Sequence, residues 1–165
     1  MDTNTFYATA ATLCFTLLGF WWIVVEFRHT ELTRDPMSRR FTFLVALHFI
    51  IPGLVSLASL LAAGALWRVA FGLAGLAGLA AVITGIGVGT RAGPLRNLGR
   101  AAWIGLPLYA LVTLIAFVPD LARVVGLEPL QVEGFTLVVI LLLGILLAWF
   151  LFTQHTHPTD RPTAG

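Results

Sequence analysis

The chain has 165 residues, 58% of them hydrophobic and 11% charged, with a formal charge of +2 and a mean hydropathy of +0.92. Ordinary soluble domains are roughly 45–50% apolar and about 25% charged, so a water-soluble enzyme, a nucleic-acid-binding module and a disordered chain are set aside. All ten cations are arginine, which removes lysine chemistry, and the single Cys14 removes an intrachain disulfide, a CxxC redox pair and a cysteine-rich zinc site.

About 20 apolar residues cross the hydrocarbon core of a bilayer, and five stretches of this chain qualify. Their apolar runs are continuous rather than alternating, which predicts helices and not barrel strands. The first span covers about Thr5 to Val25. No basic residue precedes Arg28, so it reads as a retained anchor and not as a cleaved signal. Next comes a polar loop holding Glu26, Arg28, His29, Glu31, Arg34, Asp35, Arg39 and Arg40. The second span covers about Phe41 to Leu66 and the third Val69 to Thr90, joined by a tight turn at Trp67-Arg68. Gly93, Pro94 and Gly99 mark a turn before the fourth span, Ala101 to Val118. Residues from Pro119 to Glu133 form either a loop or a short surface helix with Leu121, Val124, Val125 and Leu127 on its apolar face. The fifth span covers about Val132 to Phe152, and a polar tail with Pro158 and Pro162 is expected to be disordered.

Arginine placement sets the orientation. Arg28, Arg34, Arg39, Arg40, Arg91, Arg96, Arg100 and Arg161 fall on one side, against Arg68 and Arg123 on the other. The richer side is cytoplasmic. The expectation is an all-α bundle of five transmembrane helices (residues 1–152), N-terminus outside, with a cytoplasmic tail (153–165). Asp2, Asp120, Glu128 and Glu133 then collect on the outer side. All five tryptophans fall near span boundaries, where indoles favour the interface. The arginine-only, Ala/Gly/Leu-rich composition suits a bacterial cytoplasmic (inner) membrane.

Few residues offer chemistry. His48 lies inside the second span, with Pro52 and Gly53 one turn later. An intramembrane histidine is a functional candidate, and proline frees a backbone carbonyl near residue 48. The other reading is a packed histidine bonded to a neighbouring helix. In the third span Ala77, Ala81, Gly85 and Gly89 recur every fourth residue, a stripe that lets helices approach closely, within the bundle or toward a partner. The inner-loop charges read as a self-paired loop lying on anionic headgroups, or as a docking element. His155 and His157 make half a metal site at best, and His29 with Glu26 no more, so no metal and no cofactor is assigned. The interiors of spans two to five carry no charged residue, and no catalytic motif is present.

The first functional reading is therefore a non-catalytic membrane subunit that packs against, or stabilises, a membrane protein complex. The alternatives are a small homo-oligomeric channel or facilitator with polar residues and His48 near the pathway, and a haem protein or membrane enzyme centred on His48. The expected partners are membrane lipids and either another membrane protein or a second copy of the chain. Nucleic acid is not among them.

Overall fold

The computed structural model describes residues 2–33, 36–61, 66–89, 103–124 and 126–154. Every regular element among them is an α-helix. The long helices are α1 (Thr3–Phe27), α3 (Pro36–Leu61), α4 (Leu66–Gly89) and α7 (Pro129–Gln154). Two short ones are α2 (His29–Leu32) and α6 (Asp120–Val124). Helix α5 (Gly105–Phe117) is apolar and of intermediate length. The four long helices are long and apolar enough to cross a membrane. At 1.5 Å per residue each exceeds the roughly 30 Å hydrocarbon thickness. The 13 residues of α5 reach only about 20 Å.

Several boundaries differ from the sequence reading. The described part of helix α3, Pro36–Leu61, takes in five residues ahead of the expected start at Phe41, and residues 62–65 lie outside the description. Trp67 and Arg68 are not the turn itself; they open α4. Their side chains explain this placement. Trp67 meets Phe71 edge to face at 5.7 Å. Arg68 donates from Nε to the Ala116 carbonyl at 2.9 Å and from Nη2 to that of Phe117 at 3.0 Å. A guanidinium thereby satisfies the last carbonyls of α5 and complements its dipole. Between α5 and α7 the short helix α6 forms, with Leu121 and Val124 exposed and Ala122 buried. Arg34, Asp35, Gly93, Pro94, Gly99 and the tail histidines lie outside the described residues, and so does the start of the expected fourth span.

Side-chain contacts give the topology. Trp21 Nε1 donates to the Thr42 carbonyl at 3.1 Å, and Gly53 faces Cys14 and Phe15, so α3 runs antiparallel to α1. Gly85 faces Leu44, and Val82 faces Gly105 while Gly72 faces Phe117, so α4 is antiparallel to both α3 and α5. Tyr7 donates to the Leu130 carbonyl at 2.7 Å and Arg28 to that of Phe152 at 3.1 Å, so α7 is parallel to α1. One end of the bundle thus gathers Tyr7, Arg68, Phe117 and Leu130. The opposite end gathers Arg28, Arg39 and Phe152. Helix α3 is the most buried of the four and touches α1, α4 and α7. The surface left over is apolar: Leu13, Phe20, Ile23, Leu73, Ile83, Leu142 and Leu146 are all exposed, as suits hydrocarbon surroundings.

The tightest seam is α4 against α5. A Cβ on Gly75 would sit 2.9 Å from the backbone nitrogen of Thr113, and one on Gly78 would enter the Tyr109 ring. Only glycine admits the neighbour that closely. Of the expected stripe, Ala77 is exposed, Ala81 is half-buried, and Gly85 meets Leu44 of α3; the surroundings of Gly89 are outside the description. The glycines that receive α5 recur every third residue instead, as Gly72, Gly75 and Gly78.

Candidate functional site

His48 stands near the middle of α3, fully buried. Its Nδ1 lies 2.8 Å from the Leu44 carbonyl. A carbonyl only accepts, so Nδ1 carries the hydrogen and donates, and Nε2 is left as an acceptor. Nε2 has no partner. It looks toward the start of α5, where a Cβ on Gly105 would lie 3.7 Å away. On the other flank, a Cβ on Gly144 of α7 would come within 2.7 Å of the His48 Cβ. Two glycines from two helices therefore bracket the imidazole. Pro52 is buried one turn later, and as a proline it cannot donate to the carbonyl of residue 48 four positions back.

Tyr109 of α5 is the next polar group. Its ring meets the imidazole edge-on, with centroids 5.7 Å apart and planes at 66°, and its buried hydroxyl is also unpartnered. An acceptor nitrogen and a donor hydroxyl thus stand on neighbouring rings, complementary in hydrogen-bonding character. Ser56 lies two turns further along α3, about 12 Å from His48 toward the Tyr7 end, and its Oγ is buried without a partner.

The last member was not anticipated. Glu133, expected among the outer-side acids, lies within α7 and is fully buried, with neither carboxylate oxygen partnered. Its place near the start of α7, at the Tyr7 end of the bundle, was expected; its burial was not. The cause is helical phase: Glu133, Leu137, Ile140, Gly144, Leu147 and Leu151 alternate spacings of three and four, and all are buried. That stripe was readable in the sequence once the helix was started at Pro129. Tyr7, another buried residue the sequence reading left aside, fastens α1 to the backbone one turn before Glu133. Tyr109 and Ser56 carried no distinguishing signal in sequence.

The residues of the polar loop after α1 do not join this group. Arg28 pairs with Glu31, its Nε 2.7 Å from Oε2, and lies 4.6 Å above the Phe152 ring, tying the end of α1 to the end of α7. Glu26, His29, Arg39 and Arg40 are exposed. Among the described residues no three His, Cys, Asp or Glu side chains converge on a metal position. Gly105 lies against Nε2, so a porphyrin plane at that nitrogen would overlap the first turn of α5. Searches of family models, curated proteins and solved structures find no match to this chain.

Proposed function

We propose that this chain is an integral membrane protein that binds and relays protons inside its own bundle, along Glu133, Ser56 and the His48–Tyr109 pair. In this reading α5 belongs to a fourth span, giving five crossings, with the N-terminus outside and the arginine-rich end facing the cytosol of a bacterial cell. The observation that carries the proposal is Glu133: a carboxyl within a membrane-length helix, with no exposure and no partner for either oxygen. An ionised, unpaired carboxylate in such surroundings is very costly. A proton or a cation must balance it, and intramembrane ionisable groups of this kind mark ion and proton pathways. A carboxyl at one end of the bundle, a hydroxyl about 12 Å from the imidazole, and an acceptor nitrogen at the centre are fixed points of a relay in which files of water molecules fill the gaps between them and the stretch from His48 to the Arg28 end.

The subunit reading drew on an interior without charge, and a buried carboxyl at the Tyr7 end, Glu133, is the feature it leaves unexplained. The channel reading survives in altered form, with the path inside one bundle rather than between copies. The test is proton flux into liposomes that hold a pH-sensitive dye, driven by an imposed potassium diffusion potential. The wild type is expected to acidify the lumen faster than protein-free liposomes, and Glu133→Gln to lower that rate by about tenfold or more. His48→Phe is expected to lower it as well. Equal rates with and without protein overturn the proposal, and a larger partner retained in mild detergent would then restore the subunit reading.

A further inference from the structure

A second site lies on the opposite end and the outer surface of the bundle. Between α3 and α4 runs a groove of about 520 Å³, lined by Arg39, Arg40, Phe43, Leu47, Ala80 and Thr84 among others. Its size falls within the roughly 300–1,000 Å³ of ordinary small-molecule sites. We infer that this groove binds one anionic phospholipid, with the phosphate between the two guanidiniums and an acyl chain along the apolar floor.

Three observations support that occupant. Among the described residues Arg39 and Arg40 are two adjacent, exposed cations with no hydrogen-bonding or ionic partner. Both sit in the first turn of the apolar span that begins at Ser38, the level of the headgroups. From there the groove descends eight residues to Leu47, about 12 Å into the hydrocarbon. Its walls are apolar except for the hydroxyl of Thr84, which is turned back onto its own helix, donating to the Ala80 carbonyl at 2.6 Å. A free phosphate would match the arginines but not this apolar length. A neutral lipid would match the length but leave the charges unmet. Only a molecule with an anionic head and an aliphatic tail matches both.

The test is native mass spectrometry of the detergent-solubilised protein titrated with phosphatidylglycerol or phosphatidylcholine. Phosphatidylglycerol is expected to form the more persistent one-to-one adduct. Arg39→Ala with Arg40→Ala should weaken it by about thirtyfold, since each arginine near an anionic surface contributes about a factor of five. Ala80→Phe keeps both charges and fills the groove from an exposed position, so the fold tolerates it while the adduct is lost. Equal binding of the two lipids, or an Ala80→Phe protein that binds phosphatidylglycerol as well as wild type, overturns the inference. So does a homodimer that disappears in Ala80→Phe, because a second copy would then be the occupant.

Discussion

The two ends of the bundle use polar side chains in opposite ways. At the Arg28 end they close bonds between elements. Trp21 donates to the Thr42 backbone, the Thr42 hydroxyl lies 2.9 Å from the Ser38 carbonyl and 3.2 Å from that of Leu32, and Arg28 joins Glu31 to the end of α7. From the centre toward the Tyr7 end, buried polar atoms are left open: His48 Nε2, the Tyr109 and Ser56 hydroxyls, and both oxygens of Glu133. Tyr7 and Arg68 show that fastening also occurs there, so the open atoms are not a general defect of that half. Polar groups that hold helices together have partners. Those without partners reduce stability, and the proposed relay is the reading under which their concentration in that half has a use.

Glu133 gives the largest expected effect and the sharpest break between the two kinds of group. Glu133→Leu removes two unsatisfied acceptors and keeps an inward apolar stripe. It is expected to abolish proton flux and at the same time raise stability by about 1–3 kcal/mol, read as the midpoint of thermal unfolding in detergent. If Glu133 serves packing, the same variant loses stability instead, and the contrast between the two ends collapses.

The α4–α5 seam comes next. Gly78→Ala is expected to cost about 1–3 kcal/mol, because the new methyl enters the Tyr109 ring and an interior has no slack to receive it. Flux should fall with it, as Tyr109 is pushed from His48. Gly72→Ala is the control on the same face: its methyl would meet the Phe117 ring at 3.1 Å, and Phe117 is exposed and free to shift. Its cost should be clearly smaller in the same unfolding assay. Below both comes Tyr7→Phe, which removes one hydrogen bond to the Leu130 carbonyl and should cost about 0.5–1.5 kcal/mol with flux retained.

The membrane-length helices were legible in sequence because long apolar runs leave little freedom of interpretation. Four of the expected spans correspond to helices within a few residues. The fourth stretch is where that legibility ends: the described helix covers Gly105–Phe117, and apolarity alone could not say how much of 101–118 is helical. Site residues were less accessible for a different reason. His48 stands out as the one imidazole deep in an apolar run. Glu133 sits close to a boundary, where charge alone does not reveal whether a helix turns it inward or outward. Phase decided the matter, and phase depends on a starting point that Pro129 supplies. The glycine seam illustrates the same limit. In GLAGLAGLAA both three- and four-residue repeats are present, and only the position of α5 selects Gly72, Gly75 and Gly78.

Gly19 carries the smallest effect and closes the comparison from the lipid side. A Cβ there meets nothing within 4 Å, and the neighbours Phe20, Trp22 and Ile23 are exposed. Glycine in a helix interior is less favourable than alanine by roughly 0.5–1 kcal/mol. Gly19→Ala should therefore stabilise the protein slightly, opposite in sign to Gly78→Ala although both put the same methyl on a membrane-length helix. Unfolding of the two variants side by side in one detergent measures the difference. A Gly19→Ala protein that is destabilised as much as Gly78→Ala would mean that this face of α1 is covered in the native assembly, and a protein partner on α1 would then take the place of lipid.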